Sequence, residues 1–199
     1  MKVRSNGRIS KWKNTPNKGD TDEVKKFKRF AYKKWSHMMT RCYSEDYQSK
    51  MPTYKGCTVS EDWKDFDNFY DDFINIPNSS NTSYELDKDI LVKGNRIYSK
   101  STCCMIPSKI NSLMFSPKKK TGLPTGVTRC HYKNDVYIAT IYIDGKNKAL
   151  IRTTDLKEAF ETYKKAKESQ IRRVAETFKS TIDDEVYNAL MVWEVTSIA

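Results

Sequence analysis

The spacing of apolar residues predicts two core-facing helices in the first half of the chain. Between residues 22 and 42 they recur at intervals of three and four positions, as Phe27, Ala31, Trp35 and Met38. This spacing places them on one face of a helix, with Asp20 or Thr21 as its cap. A second, aromatic stripe follows Ser60 and comprises Trp63, Phe66, Phe69, Tyr70 and Phe73. Both stripes are typical of helices that pack on a core, and most lysines of the first helix are interpreted as its solvated face.

The middle of the chain predicts a strand, a turn and a short helix. Residues 84–91 are a strand candidate, and Lys93, Gly94 and Asn95 form a turn signal. Residues 96–98 are the candidate partner of that strand. A short helix is expected to start near Pro107, because proline is favoured in a first helical turn.

The last third of the chain predicts a three-stranded antiparallel sheet and a helix. Residues 127–130, 136–143 and 148–152 alternate or are β-branched, and the turns are expected at Asn134-Asp135 and Asp144-Gly145. Thr154 or Asp155 is suited to cap the helix that follows. The chain is therefore predicted to be α+β.

Composition suggests a basic arm and a modular organisation. The net charge is +11, of which residues 1–50 contribute +9, residues 51–116 contribute −2 and residues 117–199 contribute +4. This distribution favours polyanion binding around a site that can hold a cation, although a basic protein without a nucleic-acid role has the same composition. The predicted parts are a flexible basic arm at 1–20, a module at 21–115, a linker at 116–121, a second module at 122–180 and an extension at 181–199 that packs on the body.

Cysteine and hydropathy patterns exclude several classes of protein. The five cysteines are odd in number and lack C-x-x-C spacing, so neither a disulfide framework nor a structural zinc is expected. The basic N-terminus lacks the apolar segment of a secretory signal, and no apolar run approaches the roughly 20 residues of a membrane helix. We expect a cytoplasmic protein without a membrane partner.

Three acidic residues near the predicted turn are candidates for a metal site. Glu85, Asp87 and Asp89 alternate along the predicted strand and would share one face. Oxygen ligands at this density suit Mg²⁺. The alternative is a surface strand with solvated charges.

The order of motifs over about residues 25–115 resembles phage-encoded HNH-type homing endonucleases. The motifs are Trp35-x-x-Met38-x-x-Arg41-Cys42, Tyr54-x-Gly56, Trp63-x-x-Phe66-x-x-Phe69, Leu86-Asp-Lys-Asp-Ile-Leu91, the Gly94-Asn95 turn, Tyr98-Ser99 and the late Asn111. The resemblance implies a ββα-metal fold holding one divalent ion, Mg²⁺ or Mn²⁺.

That resemblance also implies roles for individual residues. Asp87 and Asn111 match the metal ligands, and Asp89 is a further candidate. Lys88 stands where the family has a general-base His, and Thr102 stands where it has an Asn. A lysine is protonated near pH 7 unless it is deeply desolvated, so hydrolysis would depend on a metal-bound water, with Lys88 or Arg96 steadying the developing charge. His37 is an alternative base without motif support.

Residues 122–178 resemble the APETALA2-type DNA-binding domain, which is often appended to phage HNH endonucleases. The matching features are Gly126-Val127, Tyr137 to Ile141, Gly145-Lys146, Leu150, Thr154-x-x-x-Glu158-Ala159 and Tyr163-x-x-Ala166-Lys167. The resemblance implies a sheet that enters the major groove of double-stranded DNA. The candidate DNA-binding residues are Arg129, His131, Tyr132, Lys133, Tyr137, Lys146, Lys148 and Arg152. Arg129 and Arg152 rank first because a guanidinium can bind guanine with two hydrogen bonds, whereas Tyr137 is alternatively a core residue.

Two functional hypotheses follow from these resemblances. The first is a metal-dependent homing-type endonuclease that acts in the cytoplasm of a phage-infected host. The second is a catalytically inactive relative that binds nucleic acid, or a host or phage protein, as a regulator or inhibitor. The replacement of the general base by Lys88 favours the second, and the surviving acidic cluster favours the first.

Overall fold

The computed structural model of the chain describes residues 12–114 and 122–197, and the predicted linker at 116–121 lies outside them. The chain forms two compact units that meet in the sequence between Ser108 and Lys109. Helices and strands are mixed in both, so the predicted α+β class is confirmed.

The first unit is built on a long helix with an aromatic core. Its helices are α1 (Asp22–Tyr43), α2 (Glu45–Lys50) and α3 (Phe66–Phe73), and α4 (Ser108–Met114) begins at its end. Thr21 caps α1 and Asp65 caps α3, in each case by accepting backbone N–H groups of the first turn. The predicted stripes are confirmed as core, because Ala31, Trp35 and Phe69 are almost completely buried in one cluster.

The strand pairing in this unit differs from the sequence prediction. The strands are β1 (Thr58–Val59), β2 (Tyr84–Asp87), β3 (Ile97–Tyr98) and β4 (Cys104–Pro107). Strand β2 ends at Asp87 and pairs antiparallel with β4, whereas β3 pairs parallel with β1. The predicted pairing of residues 84–91 with residues 96–98 is therefore wrong. All four residues of β4 are buried, so its uniform burial hides the alternation that marks a half-exposed strand.

Part of the predicted flexible arm packs against the first unit. The ring of Trp12 lies edge-on to those of Trp35 and Phe66, with centroids 5.3 and 5.7 Å away. The backbone N–H groups of Lys13 and Asn14 donate to the carboxylate of Asp67 at 3.0 and 2.9 Å. Residues 12–14 of the predicted arm are thus held to this unit by one half-buried aromatic side chain and one carboxylate. Residues 1–11 lie outside the described part.

The second unit contains the predicted antiparallel meander. Its strands are β5 (Val127–Cys130), β6 (Lys133–Ile143) and β7 (Lys146–Thr153), in that order in the sheet. The turn expected at Asn134-Asp135 lies instead between Cys130 and Lys133, and residues 134–135 belong to β6. The turn at Asp144-Gly145 is confirmed, and both residues have positive φ.

Helix α5 (Leu156–Phe178) packs on one face of this sheet. Asp155 caps it by accepting the N–H groups of Lys157 and Glu158. Val127, Ala139, Ala159 and Tyr163 form the buried cluster between sheet and helix. The predicted C-terminal extension forms α6 (Asp184–Met191), which packs against α5, so its place on the body of this unit is confirmed. None of the described helices has the length and apolar character needed to cross a membrane.

Candidate functional site

Asp87 lies at the end of β2, where its side chain holds the following turn. Its Oδ1 accepts the backbone N–H groups of Asp89 and Ile90 at 2.7 and 2.8 Å. Burial raises the pKa of Asp87 above its usual value, and the two N–H donors offset only part of that effect. The carboxylate therefore already works as a local cap, which the strand-based prediction did not anticipate.

Lys88, which stands where the HNH resemblance implies a general base, is a buried structural lysine. Its Nζ donates to both carboxylate oxygens of Asp89 at 2.7 and 2.8 Å and to the carbonyl of Asn95 at 3.1 Å. It also lies 5.6 Å from the ring centroid of Tyr98. The side chain is only 6% exposed, against 49% for that of Asp89. These three acceptors occupy the ammonium of Lys88, so the position holds a committed hydrogen-bond donor.

The acidic cluster does not form a three-carboxylate site. Glu85 accepts a hydrogen bond from Lys34 Nζ at 2.8 Å, and Asp89 accepts from Lys88. Asp89 lies beyond the end of β2, so strand alternation does not govern where its side chain points. Within residues 12–114 and 122–197, no three His, Cys, Asp or Glu side chains form a group suited to a metal ion. Because Mg²⁺ is commonly held by one or two carboxylates together with substrate phosphates, a divalent ion at Asp87 stays a prediction.

The remaining residues assigned by the HNH resemblance lie in loops and on a short helix. Arg96 is exposed, and its Nη1 donates to the carbonyl of Lys55. Thr102 donates to the carbonyl of Ile97 at 2.8 Å, within the turn that follows β3. Asn111 lies on α4, in the second compact unit. Arg96 and Thr102 thus donate hydrogen bonds that hold loops of the first unit together.

Sequence reasoning missed Arg41, a half-buried cation on the last turn of α1. Its guanidinium lies 5.6 Å from the ring centroid of Tyr54, and its side chain hydrogen-bonds that of Tyr98. Tyr98 therefore contacts two cations, Arg41 and Lys88. The signal in the sequence was the Arg-Cys pair ending the first helix, which the family motif contains without an assigned role.

His37 precedes Arg41 by one helical turn. Partial burial lowers the pKa of His37 below its usual value, and the cations Arg41, Lys33 and Lys34 lower it further. Glu85 offsets part of this effect. The imidazole is therefore neutral at pH 7, where it can donate or accept a hydrogen bond.

In the second unit, the strand register separates the predicted DNA-binding residues. Arg152 is opposite Ile138, on the face away from α5. Arg129 is opposite Tyr137, in the rows that face α5, and its guanidinium lies 5.5 Å from that ring. Tyr137 packs against the buried cluster, so the alternative interpretation as a core residue is confirmed.

The two lysines of β7 also fall on the α5 side. Lys148 and Lys146 are opposite Ile141 and Ile143, and Ile141 is buried. A register irregularity between Ala139 and Thr140 causes this change of face. The candidate DNA-binding residues of β7 therefore lie on two faces of the sheet, because the extra residue in β7 turns its first half over.

The turn between β5 and β6 gathers the other candidates. Tyr132 is 96% exposed at its tip, and His131 and Lys133 flank it and are exposed as well. The rings of His131 and Tyr132 are tilted, with centroids 6.3 Å apart. An aromatic side chain this exposed between basic neighbours is suited to contact nucleic-acid bases.

Comparison of the chain with protein-family models, with curated proteins and with solved structures finds no match.

Proposed function

We propose that the protein binds double-stranded DNA, with the β5–β6 turn of the second unit as the main contact. The observation that carries this proposal is Tyr132, whose ring is 96% exposed between His131 and Lys133. In that position a large aromatic side chain buries almost none of its apolar surface and adds little to the stability of the fold. Wedging or stacking against base steps gives it a partner.

The charge distribution supports the same partner. Arg152 and the lysines of β7 are exposed, and the whole chain carries a net charge of +11. Lysines meet phosphates and supply affinity without sequence information, whereas an arginine on the sheet face away from α5 can reach a base edge. Arg152 is the side chain in that position.

The test is binding of a labelled duplex, measured by fluorescence anisotropy over a series of salt concentrations. Tyr132→Ala is expected to weaken binding about tenfold, within the range of one lost base–aromatic contact. Tyr132→Phe keeps the ring and should bind like the wild type. A wild-type protein that does not bind duplex DNA at low salt would overturn the proposal, as would equal binding by all three proteins.

Metal-dependent phosphodiester cleavage is the second candidate. The observation in its favour is the order of elements, since the antiparallel strands β2 and β4 lead directly into α4 and Asp87 ends β2. The ion pairs Lys34–Glu85 and Lys88–Asp89 instead favour an inactive relative of such an enzyme, which binds DNA or a protein partner.

A plasmid assay separates these two. Supercoiled DNA is incubated with wild type and Asp87→Asn in Mg²⁺ and then in Mn²⁺. Nicking by the wild type that is absent in Asp87→Asn would establish the nuclease. DNA binding without nicking would assign the protein to the non-catalytic class.

A further inference from the structure

Helix α1 carries a row of basic side chains on one face. The α1 basic row consists of Lys26, Arg29, Lys33, His37 and Arg41. Their spacing of three or four positions keeps them on neighbouring turns of one side. From the first to the last the row extends about 22 Å at 1.5 Å per residue. The first four members are exposed and Arg41 is half-buried.

The row differs from the other lysines of α1 in forming no ion pairs among the described residues. Lys25, Lys28 and Lys34 lie within 4 Å of Asp22, Asp20 and Glu85, respectively. Within the part of the chain that the structure describes, no member of the row forms an ion pair. Acidic residues on and around α1 thus pair with the lysines outside the row and leave the row without an ion-pair partner in the described residues.

Arg41 is the most constrained member of the row. Its guanidinium is held over the ring of Tyr54 and beside the side chain of Tyr98, and both tyrosines are uncharged at pH 7. A guanidinium has five N–H donors in a rigid fork that matches phosphate oxygens. A partly desolvated cation without a counter-ion is costly to the fold, and an external anion would relieve that cost.

We propose that the α1 basic row binds the phosphate backbone of DNA, with Arg41 as its fixed end. The first unit is then a DNA-contacting module in its own right, which holds the duplex by its backbone without reading sequence. His37, neutral at pH 7, donates a hydrogen bond rather than a charge. This inference rests on the proposed DNA binding and adds a second surface to it.

The test measures how duplex affinity depends on salt for full-length variants. The affinity K falls as salt rises, and each lost phosphate contact reduces the magnitude of the slope of log K against log salt by about 0.9. The double variant Lys33→Met/Arg41→Met should therefore reduce that magnitude by about two. The control Lys25→Met/Lys50→Met removes the same charge outside the row and should change the slope much less. Arg41→Lys in place of Arg41→Met should restore about half of the lost slope, because it returns one charge.

The outcomes distinguish this inference from the proposed function. If the row variant and its control give the same slope while Tyr132→Ala still weakens binding, the row is a solvated helix face and only this inference is overturned. A wild type that binds no duplex overturns both. A second measurement tests whether the row binds free phosphate. It compares the thermal stability of the protein in inorganic phosphate with that in chloride at matched ionic strength. Stabilisation that Arg41→Met abolishes, with an unchanged DNA slope, would make the row a free-anion site and also overturn the inference. Tryptophan fluorescence confirms that each variant is folded.

Discussion

Replacing Asp87 separates its role as a turn cap from any role as a metal ligand. Oδ1 of Asp87 accepts two backbone N–H groups, of Asp89 and Ile90. Asp87→Asn keeps an oxygen in that position and removes the charge. Asp87→Ala removes the acceptor and leaves both N–H groups without a partner in the fold.

The expected magnitudes follow from these contacts. A buried donor without an acceptor costs about 1–3 kcal/mol, and water can reach the partly exposed Asp89, so Asp87→Ala should lower the free energy of unfolding by about 2–4 kcal/mol. Burial raises the pKa of Asp87. A raised pKa means that the folded state binds the proton more tightly than the unfolded chain does. The stabilisation from this group is present below its unfolded value of about 3.8 and is lost as the pH rises through the folded pKa. Asp87→Asn should therefore equal or exceed the wild type in stability at pH 7, and its advantage should shrink toward acid pH.

Urea unfolding followed by tryptophan fluorescence is a suitable assay, because Trp12, Trp35 and Trp63 all lie in the first unit. The measurement is repeated at several pH values and with added Mg²⁺. Destabilisation of Asp87→Asn as large as that of Asp87→Ala would refute the cap argument. Stabilisation of the wild type by Mg²⁺ that is absent in Asp87→Asn would show metal binding without relying on cleavage.

Three further predictions concern packing and thiol chemistry. Gly126→Ala should destabilise the second unit by several kcal/mol in a thermal melt, because its Cβ would lie 2.1 Å from the ring of Tyr163 and its φ is +80°; a melt like the wild type would contradict the packing. Trp12→Ala should cost the first unit about 2–3 kcal/mol in urea unfolding, whereas a free N-terminal arm would show no change. Burial raises the pKa of the Cys103 thiol to about 12, so iodoacetamide at pH 8 should alkylate the half-buried Cys130 first, as mass spectrometry would show. Faster labelling of Cys103 would contradict its burial.

Local patterns predicted the helices of this chain well. The apolar period of α1 and the turn at Asp144-Gly145 appear where the sequence places them, and one of the two candidate caps before each long helix, Thr21 and Asp155, is the cap in the structure. Each depends on residues within a few positions of one another. Helix periodicity and capping are local properties, so a single sequence contains them.

The candidate site was harder to predict, because its side chains have partners distant in the sequence. Lys34 donates to Glu85 across 51 positions, and nothing local to either residue indicates that pair. The same holds for Trp12, which packs on Phe66. Lys88 is a different case, since the resemblance draws attention to its position but gives no means to see that Asp89 and Asn95 occupy its ammonium.

One extra residue in β7 decides on which face of the sheet its lysines lie. Strict alternation back from Arg152 would put Lys148 and Lys146 on the same face as that arginine. Leu150 and Ile151 both pack toward the α5 cluster instead, and beyond them Ala149 is opposite Thr140 while Lys148 is opposite the buried Ile141. A bulge of this kind reverses every side chain beyond it.

For the proposed DNA binding, this register predicts a difference between two variants. Arg152→Ala should lower affinity for a specific duplex by about tenfold or more, since one bidentate base contact is worth about 1–3 kcal/mol. Lys148→Ala should change affinity less and only through the salt-dependent part, because its row faces α5. Competition between specific and random duplexes, measured by anisotropy, separates the two effects. If Lys148→Ala lost more specificity than Arg152→Ala, the DNA would contact the other face of the sheet, and the assignment of Arg152 to base recognition would have to be abandoned.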